Sequence, residues 1–338
     1  MVLSGPTKRS GWYQQVLQSP RIDATITLGL TKGLQRVTHL GCAAPRSGIV
    51  KLANIESGGR SHVALVVGEE LIDLTAQLGA ELDDVPKFLA LGENGKTLAA
   101  RCLRSATPRL SVSSVKFLAP VRCPDKILGV GMNYHSFTAA ARGIGMPIPT
   151  ARVWFLRPRG CVSGPQDDVW LPRGADDFDY EVELAVVIGR QCRYVSPADA
   201  GAVIGGYAVA NDMTLRKQVA RSLVLAKSFD THTPLGPWIV TPDEIGDPNN
   251  LAVKAWVNGE LRQSGNTSDM IAGCGELIAE LSAVCTLNPG DFILTGTPAG
   301  SGIFRPPPWG LVAGDVVRSE IERIGAIENR IVEESRLG

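Results

Sequence analysis

Two glutamates at the start of an apolar run are the most informative feature of the sequence. Glu181 and Glu183 lead directly into Leu-Ala-Val-Val-Ile at 184–188. An unbroken apolar run of this length is typical of a strand buried on both faces, and residues two apart in a strand project from the same face. Side by side, the two carboxylates would repel each other and lose hydration, and a bound cation would relieve both costs. The alternative is a solvated strand end at which both glutamates face water.

Asp212 supplies a third carboxylate at the end of a second apolar strand, predicted over 205–211. Three carboxylates without a cysteine or histidine partner suit a hard, oxygen-preferring ion such as Mg²⁺ or Mn²⁺, and water or substrate oxygens would complete an octahedron. The alternative for Asp212 is that it caps the turn at 213–218. The three acids together predict a divalent-metal site.

Two loops rich in glycine and proline carry further candidates. Lys227 opens the loop 227–237, and a lysine fixed beside a divalent ion can stabilise a developing enolate or oxyanion; the alternative is an ordinary surface charge. The amides and hydroxyls of the turn 294–302 could hold a carboxylate. This turn lacks the Gly-Lys-Ser/Thr ending of a phosphate loop, and Gly129-Val130-Gly131 lacks the third glycine of a dinucleotide site, so nucleotide binding is not expected.

Short strands must position these residues. The hydrophobic pattern predicts strands at 127–130, 182–188, 205–211, 252–257 and 292–295, with helical runs at 197–203 and 269–282. Many short strands with few helices indicate a β-rich α+β fold, a roll or sandwich, and not a regular parallel α/β sheet.

The chain divides into three parts by composition. Residues 1–47 carry six basic residues against one acid, and we expect a disordered or incidental extension there, with a mitochondrial transit peptide as the alternative. Residues 48–120 combine short β-rich stretches with one helical stretch and predict a small N-terminal β-containing domain. Residues 121–334 carry all the candidate site residues and predict the catalytic domain.

Composition excludes several classes of protein. Basic and acidic residues number 34 each, so the formal net charge is zero, which is not typical of a nucleic-acid-binding protein. Membrane spans are not expected either, because no apolar run approaches the roughly 18 residues that a spanning helix needs. The seven cysteines form no Cys-x-x-Cys pair and indicate reduced thiols in a cytoplasmic protein.

Seven short motifs resemble those of the fumarylacetoacetate hydrolase family, in the family's order, between about 126 and 329. They are Gly131-Met132-Asn133-Tyr134, Asp179-Tyr180-Glu181-Val182-Glu183-Leu184, Asn211-Asp212 with Arg216, Lys227-Ser228-Phe229-Asp230, Pro234-Leu235-Gly236-Pro237, Val257-Asn258-Gly259-Glu260 with Gln263, and Pro289-Gly290-Asp291 through Thr295-Gly296-Thr297-Pro298. The resemblance implies a mixed β-roll catalytic domain, like the C-terminal domain of fumarylacetoacetase. Family members are usually homodimers that bind one Mg²⁺ or Mn²⁺ per chain.

The resemblance also implies roles for individual residues. The metal carboxylates would be Glu181, Glu183 and Asp212, and the active-site lysine would be Lys227. The substrate-binding positions implied in the same way are Thr297, Tyr134, Arg216, Gln263 and Gly296. Members of the family, among them acylpyruvases and 2-hydroxyhepta-2,4-diene-1,7-dioate isomerases, act on small 2-oxo and β-diketo acids. The substrate's carboxylate and oxo group chelate the metal, which draws charge into an enolate.

The chain departs from hydrolytic members at the residues that activate water. Those members follow Asn-Tyr with a histidine and, three residues later, a glutamate, which together act as a general base. Phe137 and Ala140 occupy the matching positions here. His135 stands two residues earlier, and in an extended segment it would have the same facing as Phe137, so it is a candidate displaced base; the alternative is a plain loop residue. The segment 139–149 is longer than the family norm, and 212–227 is shorter.

Three functions are open at this level. The leading hypothesis is a metal-dependent hydrolase that cleaves a C–C bond in a small β-diketo acid or acylpyruvate. The second is a 2-oxo acid decarboxylase or enol–keto isomerase on the same scaffold, which the missing histidine and glutamate favour. The third is a catalytically silent homologue that keeps the metal and has lost the base.

Overall fold

Strands dominate the structure, a computed structural model that describes residues 51–105, 109–305 and 310–334. The predicted extension 1–47 lies outside these residues. The strands are β1 Lys51–Ser57, β2 Arg60–Val67, β3 Glu70–Asp73, β4 Leu110–Ser111, β5 Lys116–Leu118, β6 Ile127–Gly131, β7 Val153–Arg157, β8 Val162–Ser163, β9 Val169–Leu171, β10 Phe178–Asp179, β11 Val182–Ile188, β12 Ile204–Asn211, β13 Thr214–Leu215, β14 Thr233–Val240, β15 Ala252–Val257, β16 Glu260–Asn266, β17 Phe292–Leu294, β18 Val316–Ile321 and β19 Gly325–Glu333.

The helices are short. They are α1 Leu74–Leu78, α2 Val85–Leu89, α3 Glu93–Arg104, α4 His135–Gly143, α5 Arg216–Val219, α6 Leu223–Lys227, α7 Pro242–Ile245 and α8 Cys274–Val284. Within the described part of the chain, none of them has both the length and the apolar character that crossing a membrane requires.

Two sheets form the body of the protein. The larger has 12 strands, and its order includes β1-β14-β12-β11-β17-β6-β7. The smaller has five strands in the order β16-β15-β18-β19-β9. Strands β11 and β12 are antiparallel neighbours in the middle of the larger sheet. The β-rich α+β class that the sequence predicts is confirmed.

The N-terminal strands belong to the same large sheet as the site. Strand β1 pairs with β14, with Lys51 opposite Val240, and Leu65 shares a hydrophobic core with Ala185 and Leu235. The described residues, from 51 to 334, cluster as one compact unit. The N-terminal strands extend the larger sheet through hydrogen bonds that its edge would otherwise leave unpaired, and the predicted domain boundary near residue 120 stays a prediction.

Alternation along β11 sends its side chains into two cores. Val182, Leu184 and Val186 belong to the core that includes the five-stranded sheet. Ala185 and Val187 belong to a second core, which helices α2 and α3 cover. All seven residues of β11 are buried, as the unbroken apolar run predicts for a strand covered on both sides.

Gly129 makes room for an aromatic ring from the next strand. It pairs with Phe155 across β6 and β7, and a Cβ on Gly129 would lie 2.2 Å from Cζ of Phe155. Real side-chain carbons do not approach this closely, so the position requires glycine or a shift of the ring. The Gly-Val-Gly motif, which lacks the features of a dinucleotide loop, is thus part of a strand and allows close packing.

We predict that Gly129→Ala destabilises the protein by about 1–3 kcal/mol, the usual cost of overpacking a core. Urea unfolding followed by circular dichroism measures the free energy of unfolding. Gly131→Ala is the matched control, since a Cβ there would lie no closer than 3.7 Å to the neighbouring residues of the structure. Equal free energies of unfolding for the two variants would contradict this account of Gly129.

Candidate metal centre

Three buried carboxylates meet where β11 begins and β12 ends. Glu183 pairs with Ala210 across these strands, and the Asp212 N–H donates to the Glu181 carbonyl at 2.8 Å. Alternation places the acids on the face that carries Ala185 and Ala210. One oxygen from each carboxylate lies within 4.8 Å of the others, and the residues are 5%, 2% and 1% exposed for Glu181, Glu183 and Asp212. The solvated alternative for the glutamates therefore does not hold.

Lys227 completes the centre from the C-terminal end of α6. Its Nζ donates to Glu181 Oε2 at 2.8 Å, to Thr214 Oγ1 at 2.8 Å and to Asp212 Oδ2. The ammonium lies 4.8 Å from the centroid of the Phe155 ring, the ring that Gly129 accommodates. The residue is buried, so Lys227 is not an ordinary surface charge. Its positive charge is shared between two of the three carboxylates.

Arg216 connects the centre to a neighbouring loop. Its Nε donates to Asp179 Oδ2 at 2.8 Å, and its Nη2 lies 2.7 Å from Glu181 Oε1. Asp179 also accepts from the N–H groups of Gly302 and Ile303 at 2.7 and 3.0 Å. The sequence analysis assigns Arg216 to substrate binding, and in this structure its guanidinium pairs with two buried carboxylates and orients Glu181.

The sequence analysis missed Arg157, which lies directly behind the centre. Its guanidinium donates to the Asp212 carboxylate and to the carbonyls of Met213 and Lys227. The side chain is completely buried. The signal in the sequence is a charged residue that closes the apolar strand β7 immediately before Pro158, because a buried strand end rarely carries an unpaired charge.

The charged side chains of the site leave one negative charge uncompensated. Four carboxylates face three cations, and the seven residues are Asp179, Glu181, Glu183, Asp212, Arg157, Arg216 and Lys227. A divalent ion would reverse this excess. Three converging carboxylate oxygens are also the hard donors that Mg²⁺ and Mn²⁺ prefer. The residues present therefore fit such an ion, and Glu181, Glu183 and Asp212 would hold it.

The two glutamates differ in how well their charges are compensated. Burial acts to raise the pKa of Glu181, but the charges of Arg216 and Lys227 outweigh it and hold the pKa at about 2. Burial raises the pKa of Glu183 well above its ordinary value, and the negative charges of Asp212 and Glu181 add to that effect. Glu183 is therefore the carboxylate that gains most from a nearby cation.

The glycine-rich turn after β17 orients the start of β11. The Gly296 N–H donates to Glu183 Oε2 at 2.7 Å. Thr297 Oγ1 donates to the Val182 carbonyl at 2.7 Å and accepts from Gln263 Nε2 at 2.9 Å, while Gln263 Oε1 accepts from the Val182 N–H at 3.1 Å. The resemblance implies substrate binding for Gly296, Thr297 and Gln263. In this structure they hold the Glu183 carboxylate and the backbone of Val182 at the start of β11, which we call the metal strand.

The segment that carries the candidate base is helical. Tyr134 is completely buried just before α4, and His135 is the exposed first residue of that helix. Phe137 is buried, with its ring centroid 4.8 Å from that of Phe304 in an edge-on contact. Residues two apart on a helix point in nearly opposite directions, so His135 does not share the facing of Phe137, contrary to the extended geometry considered above. A role for His135 as a base stays a prediction.

Comparison with known proteins identifies the relatives of this chain. Residues 126–332 match the family model described as "Fumarylacetoacetate (FAA) hydrolase C-terminal". A mitochondrial oxaloacetate tautomerase of Bos taurus is 43% identical over 269 residues, which cover 78% of this chain and 85% of that protein.

Solved structures extend the comparison to other reactions. A maleylpyruvate hydrolase from Sphingobium sp. SYK-6, in complex with a manganese(II) ion and pyruvate, matches with a TM-score of 0.72 at 32% identity, over 84% of this chain and 100% of that one. A 2-hydroxyhepta-2,4-diene-1,7-dioate isomerase from Mycobacterium marinum matches with a TM-score of 0.66 at 32% identity, over 85% and 100%. The relatives thus include hydrolases, isomerases and tautomerases.

We predict that Glu183→Gln lowers Mn²⁺ affinity more than about tenfold, which corresponds to about 1.4 kcal/mol, because one anionic ligand is lost. The metal-free variant should melt at the same temperature as the unaltered protein or higher, since the substitution removes like-charge repulsion and the amide oxygen can still accept from Gly296. Isothermal titration calorimetry and thermal melting measure the two effects.

Glu280→Gln is the matched control for this substitution. Glu280 pairs with Arg152 and Trp154 near the surface and contacts none of the metal carboxylates in the described structure. It should leave Mn²⁺ affinity unchanged. Full Mn²⁺ affinity in the folded Glu183→Gln variant would show that Glu183 is not a metal ligand.

Proposed function

This chain belongs to the fumarylacetoacetate hydrolase family, and from that premise we propose that it interconverts the enol and keto forms of a small 2-oxo dicarboxylic acid such as oxaloacetate. One observation carries the choice within the family. The positions at which hydrolytic members hold their water-activating histidine and glutamate are Phe137 and Ala140, and Phe137 is buried against Phe304. Tautomerisation moves a proton and consumes no water, so the reaction does not need these two groups. The resemblance to an oxaloacetate tautomerase supports the same choice.

A divalent ion, Mg²⁺ or Mn²⁺, is the cofactor of the proposed reaction. When bound, it supplies a Lewis acid for the oxygens of a 2-oxo acid and lowers the cost of placing negative charge on the oxo oxygen. The three converging carboxylates of this chain and the manganese in the related maleylpyruvate hydrolase both support this assignment. Mg²⁺ and Mn²⁺ both suit the oxygen donors, so the experiments below use Mn²⁺, whose binding is also visible by electron paramagnetic resonance.

The protein's own residues provide binding and charge stabilisation. With a divalent ion in place, the site has an excess of positive charge, which attracts the carboxylates of a dianionic substrate. Lys227 holds an ammonium 2.8 Å from Glu181, one of the three carboxylates that would hold the ion. Its three N–H groups already donate to Glu181, Thr214 and Asp212, so it acts through its positive charge. That charge can stabilise the negative charge that develops on the enolate oxygen, and this stabilisation is large because the ammonium is buried.

Hydrolysis of a C–C bond in an acylpyruvate is the second candidate function. His135 favours it, because this residue is exposed at the start of α4, next to Tyr134, and an imidazole is the commonest general base. Decarboxylation of a 2-oxo acid would use the same metal and lysine without a water molecule. Measurement of pyruvate and CO₂ release separates these two reactions from tautomerisation, which releases neither product.

We predict that the protein with Mn²⁺ accelerates the conversion of enol-oxaloacetate to the keto form, as followed by loss of the enol's ultraviolet absorbance. A chelator should abolish the acceleration. Lys227→Met should lower the rate by about 10²-fold or more, the range observed when one donor to a developing oxyanion is removed. Lys254→Met is the matched control, because Lys254 is exposed on β15. A rate that is equal with and without metal would contradict the proposal.

We predict that the double variant Phe137→His/Ala140→Glu gains hydrolysis of acetylpyruvate, by up to about 10²-fold over the unaltered chain, which is the lower range for general-base catalysis. Phe137→Leu/Ala140→Gln is the control, since it changes the size of both side chains without adding a base. Pyruvate release, measured with a coupled dehydrogenase, reports the rate. Rapid acetylpyruvate cleavage by the unaltered chain would instead make hydrolysis its function.

A further inference from the structure

Arg157 is a completely buried arginine at the end of β7. Its side chain is 0% exposed, and it is among the largest of the fully buried side chains in the described structure. Removal of a guanidinium from water costs several kcal/mol unless its N–H groups and its charge are paired. A buried arginine is therefore stable only where its charge and its N–H groups are paired. The groups that it contacts indicate its role.

The contacts of Arg157 join three segments of the chain. Its Nε donates to the Lys227 carbonyl at 2.8 Å, and Nη2 donates to the same carbonyl and, at 2.9 Å, to the Met213 carbonyl. Its Nη1 donates to Asp212 Oδ1. One planar group thus connects the end of β7, the turn after β12 and the end of α6.

Arg157 holds both partners of the lysine–aspartate ion pair. Lys227 is the last residue of α6, and the last carbonyls of a helix lack partners within the helix. The guanidinium supplies a donor for this carbonyl, while the other end of the same residue, Nζ, donates to Asp212 Oδ2. Asp212 therefore accepts from Arg157 through Oδ1 and from Lys227 through Oδ2. Together with the bond from Arg157 to the Lys227 carbonyl, these contacts form a closed ring of hydrogen bonds.

We propose that Arg157 is a positioning residue of the metal centre, which fixes the plane of the Asp212 carboxylate and the backbone of Lys227. The guanidinium holds Oδ1 of Asp212, and the Lys227 ammonium holds Oδ2, so both oxygens of this carboxylate have a fixed direction. The inference rests on the metal-binding part of the proposed function and is independent of the reaction. A lysine does not reproduce these contacts, because its compact ammonium lacks the rigid planar fork that directs Nε, Nη1 and Nη2 to the carbonyls of Lys227 and Met213 and to the Asp212 carboxylate in one fixed geometry.

Mn²⁺ affinity of Arg157→Lys, measured by electron paramagnetic resonance of the free ion, tests the proposal. The expected loss is about 10- to 100-fold, the usual effect of removing a group that orients a metal ligand. Thermal melting establishes that the variant is folded at the assay temperature, and Arg157→Gln, which keeps a planar donor group, is measured in the same way if the lysine variant is unfolded. Bound Mn²⁺ should also give a spectrum with altered line widths.

Arg193→Lys is the matched control, since Arg193 also donates to a backbone carbonyl, that of Ser282, away from the metal carboxylates. It should keep full Mn²⁺ affinity. Mn²⁺ affinity and spectra of a folded Arg157 variant that equal those of the unaltered chain would overturn the proposal, and so would a tenfold loss in the Arg193 variant. Failure of the unaltered chain to bind Mn²⁺ would instead count against the proposed function.

Discussion

The burial of three carboxylates at adjoining ends of two antiparallel strands is the constraint on which the rest of the site depends. Glu181 immediately precedes β11, Glu183 is its second residue, Asp212 follows β12, and each residue is at most 5% exposed. Such a cluster is unfavourable without compensating charge. Arg157, Arg216 and Lys227 supply three positive charges, and Asp179 brings a fourth negative one. With all four carboxylates ionised, one negative charge remains uncompensated, and a bound cation would stabilise the ionised form of Glu183, whose pKa is raised by burial and by Asp212 and Glu181.

Neighbouring loops are arranged to keep these carboxylates in place. The amide of Gly296 holds Glu183, and the side chains of Thr297 and Gln263 hold the backbone of Val182. Asp179 connects Arg216 to the amides of 302 and 303, and that segment leads to Phe304, which packs on Phe137. The metal strand and the helix α4 are thus joined by a continuous set of contacts through polar groups and one aromatic pair.

The aromatic pair also explains why this chain differs from hydrolytic relatives. Phe137 and Phe304 fill with apolar contact a position at which those relatives carry a proton-transferring side chain. Neither ring can activate a water molecule, which is the reason the proposed function is a proton transfer within the substrate and not hydrolysis. In the proposed function, Phe137 replaces the water-activating histidine, while the three carboxylates and Lys227 match the family's motifs.

The sequence by itself indicated the fold class and the three carboxylates of the candidate metal centre, because apolar runs and the acids at their ends are local features that residue types report. It did not determine the partners that hold them. Arg157 lies 55 and 70 residues from Asp212 and Lys227 along the chain, and only strand order and packing bring them together. The direction in which the His135 side chain points was also decided by the tertiary structure, because a helix and an irregular loop can have similar sequences. The same holds for the N-terminal strands, because the edge of a sheet can pair with a segment that is distant in the chain.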